Sequence, residues 1–151
     1  MAAPDRGPGT VVDAGPLPAP GEGRLAALAG RLVAMPPAAL VRLPGPAPAS
    51  AREMEVVAAA CPRGGAAVGG RAVTSTVKSV REGRVEKTLP REGLSALEGP
   101  RAFDGTALRG ALADARLVAG AGDDEVELAL AAGLSVLVVD LDAGPPPGPR
   151  P

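Results

Sequence analysis

Val73-Thr-Ser-Thr-Val-Lys-Ser-Val80, Arg81-Glu-Gly-Arg84 and Val85-Glu-Lys-Thr-Leu89 follow one another without a break and differ in character from everything around them. The two outer runs are rich in β-branched and charged residues, and the middle one supplies a turn. Together they read as a β-hairpin with two wet faces that projects from the body of the protein. Both lysines of the chain, Lys78 and Lys87, lie on it. An isolated two-stranded ribbon is marginal in water, so an arm spanning residues 72–91 implies a partner surface.

Outward from the arm, the pattern turns helical and apolar. On the N-terminal side, Ser50 and Glu53 have capping-box spacing, and Met54, Val57, Ala58 and Cys61 fall on one stripe, so a helix runs from Ser50 to Pro62. Before it, Ala39–Leu43 suits a strand. Residues 24–33 carry Leu25, Leu28 and Leu32 on a short helical face, and Thr10–Ala14 suits a further short strand. On the C-terminal side, Asp104 caps a helix carrying Leu108, Ala111, Leu112 and Ala115. Asp123 opens a third helix, with Val126 and Leu130 inward, that ends at Gly133. Ser135–Leu141 is a continuous apolar run suited to a strand covered on both faces. Helices alternating with such strands predict an α/β layered fold.

The 151 residues suit one domain. Glycine and proline, 21 and 18 residues, concentrate at the ends, so 1–23 and 143–151 read as loosely ordered segments around a domain at 24–142. Apolar residues make up 46% of the chain, but much of that is alanine and Phe103 is the only aromatic. Each methylene missing from such a core forgoes roughly 0.8 kcal/mol, which predicts marginal stability.

Composition excludes several chemistries. Net charge is −1, which gives no pull toward nucleic acid or an anionic membrane. No run reaches membrane-spanning length and no signal-peptide core precedes the domain, so the expectation is a cytoplasmic protein. Histidine is absent, which removes Ser-His-Asp and Cys-His pairs and the commonest zinc ligand. Cys61 stands alone, without an internal disulfide partner, and reads as a packed thiol. Asp140 and Asp142, at the end of the last strand, are turn-forming carboxylates or ligands of the kind α/β folds place there. No metal site is expected from the residues themselves.

Three stretches nevertheless occur in a telling order: Thr74-Ser-Thr-Val-Lys78; Thr88-Leu-Pro-Arg-Glu-Gly-Leu94 leading to Gly99-Pro-Arg-Ala-Phe103; and Gly122-Asp-Asp-Glu125. They resemble the 2-C-methyl-D-erythritol 4-phosphate cytidylyltransferase family, most clearly over residues 66–139. The resemblance implies an incomplete nucleotide-diphospho-sugar transferase-like (Rossmann-like) α/β sheet with a projecting hairpin. It also implies CTP and methylerythritol phosphate as substrates, Mg2+ as cofactor, and a homodimer formed through residues 72–91. Carried over by residue, Thr76 matches a substrate-contacting threonine, Arg91 a substrate-phosphate arginine with a catalytic role, and Asp123 a substrate-binding acid. Each has a plainer reading: Thr76 as strand surface, Arg91 as a solvated loop arginine, Asp123 as an N-cap.

The same comparison exposes gaps. The family's threonine falls on Gly99 and on Gly122, its acid on Leu43, its arginine on Pro46, and its late lysine in Gly144–Pro147. Gly21-Glu-Gly23-Arg24 superficially matches the family's glycine-rich nucleotide loop but lacks its spacer and its Pro-Lys. A triphosphate needs converging cations and N–H donors. Without them the expectation is a chain impaired or inactive by itself; the alternative is a non-catalytic homologue that binds through the arm.

Overall fold

The computed structural model describes residues 9–143, and its centre is a six-stranded sheet. The strands are β1 (Val11–Asp13), β2 (Leu40–Leu43), β3 (Ala66–Ala72), β6 (Ser95–Ala96), β7 (Arg101–Asp104) and β8 (Val136–Asp140). Their order is β1-β2-β7-β3, with β8 on the free side of β3 and β6 alongside its last two residues. β1 runs parallel to β2 and β8 parallel to β3, whereas β7 is antiparallel to both its neighbours. β4 (Val77–Arg81) and β5 (Arg84–Leu89) form a separate two-stranded sheet, the arm.

Side-chain alternation sorts the strands into two packed faces. Val41, Leu43, Ala66, Val68 and Phe103 point to one side and meet α1 (Arg24–Leu32), α3 (Gly105–Leu112) and α5 (Glu125–Ala131) through Leu28, Leu32, Leu108, Val126 and Ala129. Leu40, Ala67 and Ala102 point to the other and meet α2 (Ala51–Ala60) through Val57, with Cys61 buried at its end. A short α4 (Ala115–Gly120), capped by Asp114, joins α3 to α5. Phe103 is 1% exposed at the centre of the larger face. Truncating it to alanine would cost about 3–5 kcal/mol.

The caps follow the expected chemistry. Ser50 Oγ accepts from the Glu53 N–H at 3.1 Å, and Glu53 returns the bond to the Ser50 N–H at 3.1 Å. The Asp104 carboxylate accepts from the Ala107 N–H at 3.1 Å and starts α3. Beyond the far end of α1, the Arg109 guanidinium donates to the Leu32 and Met35 carbonyls, and the Leu32 carbonyl also accepts from the Met35 N–H at 3.1 Å.

Several expectations are corrected. Residues 11–23 are not a loose segment: β1 pairs with β2, Ala14 is buried, and the Arg42 guanidinium grips Asp13 at 2.7 and 2.8 Å. The parts of the expected tails at 1–8 and 144–151 lie outside the described residues. α5 begins one residue later than expected, with Asp124 as its N-cap. Leu130 faces outward at 55% exposure, because α5 turns the stripe of Glu125, Val126, Leu128 and Ala129 toward the core instead. β8 is an edge strand rather than a covered one, leaving Leu137 and Val138 exposed at 44% and 53%. Strands β3 and β7, at the middle of the sheet, were hidden by their composition.

Candidate functional site

The resemblance points to three places: the Gly21–Arg24 turn, the base of the arm, and the 121–125 loop. The first and third come together. Gly21 and Gly23 adopt φ of 88° and 82°, a left-handed geometry that glycine enters without strain and that turns successive N–H groups inward. Four backbone donors converge on the Asp123 carboxylate: Gly21, Gly23 and Arg24 at 2.8, 2.9 and 2.8 Å on one oxygen, and Leu25 at 2.9 Å on the other. Asp123 thus acts as the cap of α1, a helix 98 residues away in sequence. It does so from a left-handed backbone at φ 57°, which aspartate tolerates better than most residues. Hydrogen bonds from Leu25 and Arg24, then from Gly21 and Gly23, outweigh desolvation and hold its carboxyl below the ordinary value.

Two residues on, Glu125 is fully buried and receives both arginines of the region. Arg24 donates to it through Nε at 2.6 Å and Nη2 at 2.8 Å, and Arg101 through Nη1 at 3.0 Å. The remaining Arg24 donors go to the Pro18 and Pro44 carbonyls, and Arg101 Nη2 goes to the Leu97 carbonyl. Burial pushes the Glu125 carboxyl up, but the Arg24 hydrogen bonds and the charges of Arg101 and Arg24 prevail and hold it down. The backbone N–H groups of residues 21–25 and the Arg24 guanidinium are therefore aimed at carboxylates or carbonyls of the chain itself, while Arg101 Nε is buried without a partner among the described residues. Sequence reasoning missed Glu125 and Arg101: both stand in the quoted stretches, but nothing in their spacing says that they face each other.

The neighbouring loops are closed as well. Gly99 N–H donates to the Gly69 carbonyl at 3.0 Å, and Gly69 N–H donates to the Pro100 carbonyl at 2.8 Å. A Cβ at position 99 would stand 2.6 Å from Leu141 Cδ1 and 2.9 Å from the Gly69 oxygen. A threonine cannot occupy this position without moving the backbone of the central strand. On the far side of β3, the Arg71 guanidinium pairs with Glu53 at 2.5 Å and with Asp142 at 3.3 Å, and Asp142 also accepts from the Ala72 N–H. Asp140 accepts from the Asp142 N–H at 2.9 Å. These carboxylates close the exit of β8, and among the described residues no three metal-ligating side chains converge.

The arm base is different. Thr76 lies just before β4, outside the strand, and is exposed. Arg91 is also exposed; its Nη1 donates to the Thr74 carbonyl at 2.9 Å, which folds the return of the arm onto its outgoing limb. The structure thus brings Arg91 beside the 74–76 segment. The donors gathered on Asp123 come from residues 21–25, so neither Thr76 nor Arg91 belongs to that cluster.

This architecture matches known proteins. The family model IspD: 2-C-methyl-D-erythritol 4-phosphate cytidylyltransferase matches residues 46–144, well over half of the chain. The chain belongs to that cytidylyltransferase family. Its fold is similar to the 2-C-methyl-D-erythritol 4-phosphate cytidylyltransferase of Thermus thermophilus, with 26% identity, TM-score 0.61, and coverage of 89% of this chain and 73% of that one. The Francisella tularensis cytidylyltransferase gives 21% identity and TM-score 0.63 over 79% of this chain and 59% of that one. The 4-diphosphocytidyl-2C-methyl-D-erythritol synthase of Anaerococcus prevotii gives 21% identity and TM-score 0.65 over 78% and 54%. The chain therefore spans little more than half the length of two of these relatives. No curated protein sequence matches it. Among the described residues, no helix is long and apolar enough to cross a membrane.

Proposed function

We propose that this chain is a non-transferring member of the cytidylyltransferase family that acts by pairing through its arm. One observation carries the reading: the four N–H donors and the arginine of the glycine-rich turn that opens α1 are already neutralised by Asp123 and Glu125. A triphosphate entering there must displace two carboxylates whose charge repels it. Asp123 serves as an internal anion, so the substrate-binding role implied for it gives way to helix capping. Mg2+ would arrive with the nucleotide, and the nearby acids offer it no shared vacancy: Asp123 spends its lone pairs on backbone N–H groups, and Asp142 is held by Arg71 and Ala72.

The residues left outward are those of the arm. Thr76 and Arg91 are exposed at its base, and a group held away from its own body suits action on a neighbouring subunit, so the partner is a second copy bound through residues 72–91. The second reading is the family's own reaction, in which CTP and methylerythritol phosphate give CDP-methylerythritol and diphosphate for isoprenoid synthesis, with Arg91 holding the substrate phosphate. The match over residues 46–144 favours it. Diphosphate release from CTP, methylerythritol phosphate and Mg2+ separates the two. We expect none above the buffer rate from the purified chain, and turnover abolished by Arg91→Ala would instead establish the enzymatic reading.

A further inference from the structure

The arm leaves the body just after Arg71 and Ala72, the last two residues of β3, and that exit is held from both sides. On one side the two residues pair with Ala96 and Ser95 of β6. On the other, β8 pairs with β3 only as far as Asp140 opposite Gly70, and the Leu141 N–H closes on the Gly70 carbonyl at 2.9 Å. Alternate β3 residues turn their N–H groups toward β8: Ala66 donates to the Ser135 carbonyl at 2.8 Å, and Ala72, further along, faces the same way. Past the end of the ladder the acceptor for Ala72 is a side chain, the Asp142 carboxylate, at 2.8 Å. Asp142 is a substitute rung. It prolongs β8 by one hydrogen bond where the backbone has already turned away, a turn fixed by its own N–H donating to Asp140 at 2.9 Å.

Arg71 ties that rung to a third element. Its guanidinium donates through Nη1 to Asp142 at 3.3 Å and through Nη2 to Glu53 at 2.5 Å, and Glu53 is also the capping-box residue of α2. Thus α2, β3 and β8 meet where the arm departs. Beyond that point the chain is irregular at 73–76 and again at 90–94, and the Arg91–Thr74 hydrogen bond ties these two links together. The strands β4 and β5 form a sheet of their own, so the direction of the arm is set where it is attached. The side chains of Arg71, Glu53 and Asp142 are 36%, 22% and 45% exposed, so the ion pairs among them add little to global stability. What they fix is local: the angle at which β3 hands over to the arm.

We propose that Arg71, Glu53 and Asp142 are positioning residues that aim the arm. The substitute rung and the two ion pairs fix the direction of the chain at Ala72, and without them the arm swings on its irregular links. A group that acts outside its own body does so more tightly when its direction is set in advance, because less orientational freedom is lost on contact. The inference rests on the reading that the arm acts outward, and adds what points it.

Distances within one molecule test it. Spin labels at Lys87→Cys on β5 and Glu127→Cys on α5, both exposed positions, report the angle between arm and body by pulsed electron spin resonance. The full chain carries them in a Cys61→Ala background, diluted with an excess of unlabelled chain, and circular dichroism verifies that each variant is folded. We expect one narrow distance in the parent, and Asp142→Ala and Arg71→Ala should each broaden it about twofold or more. Arg42→Ala, which removes a part-exposed ion pair with Asp13 at the other edge of the sheet, should leave it unchanged. A distribution already broad in the parent, or still narrow in both variants at the arm's exit, would overturn the proposal. Sedimentation of the same proteins separates it from pairing: a parent monomeric throughout that shows the same broadening would uphold the aiming of the arm and overturn the pairing reading.

Discussion

The clasp at residues 18–25 and 121–125 and the arm at 77–89 are both rich in charge, yet they treat it in opposite ways. In the clasp, two carboxylates absorb four backbone donors and two guanidiniums, and the charges face inward. In the arm, four cations face solvent on a ribbon that packs no core. A charge buried with its partner fixes a local structure, because breaking the pair strands an ion in a poor solvent. A charge held on a ribbon in water fixes almost nothing inside the chain and is free to act on something outside it. The first region therefore reports on stability and the second on association.

Removing Glu125 should break this comparison most severely. Glu125→Ala leaves Arg24 and Arg101 buried without a counter-charge, and equilibrium urea unfolding should show a loss of about 3–5 kcal/mol. A loss below about 1 kcal/mol would mean that the cluster relaxes into water and is not a clasp. Asp123→Ala should act more locally. The amides of Arg24 and Leu25 lose their acceptor, so their hydrogen exchange should accelerate strongly while the last turn of α1, held by Arg109, keeps its protection.

Acid sharpens the same contrast. The folded values of Asp123 and Glu125 are depressed, so their contribution is complete above the unfolded carboxyl range, about pH 4, and is lost as pH falls through the lower folded values. Stability should decline below about pH 4, and the decline should be shallower in Asp123→Ala. At the small end of the scale, Val80→Thr with Val85→Thr should leave unfolding free energy within about 0.5 kcal/mol of the parent while weakening association.

Much of the fold was legible because local signals agreed with it. The Ser50–Glu53 box, the Asp104 cap, the leucines of α1 and the wet hairpin all stand where their chemistry puts them. The central strand β3 was not legible. Ala66-Ala-Val-Gly-Gly-Arg-Ala72 carries neither alternation nor β-branched bulk, and its glycines serve close approach: a Cβ on Gly69 would meet Leu141 at 2.8 Å and one on Gly70 would meet Val138 at 2.7 Å. The site was legible only in part. Arg91 and Thr76 were found by their order along the chain, but the partners of Asp123 lie about a hundred residues away and leave no local trace. That distance is why Asp123 read as either a cap or a ligand, and why the helix it caps was not the one it precedes.

Calorimetric titration of the intact chain with CTP and Mg2+ tests the inward-facing clasp most directly. With its donors already spent on Asp123 and Glu125, the chain should release no heat of binding even at millimolar nucleotide. Saturable binding in the micromolar range, lost on Arg24→Ala or Arg91→Ala, would contradict it.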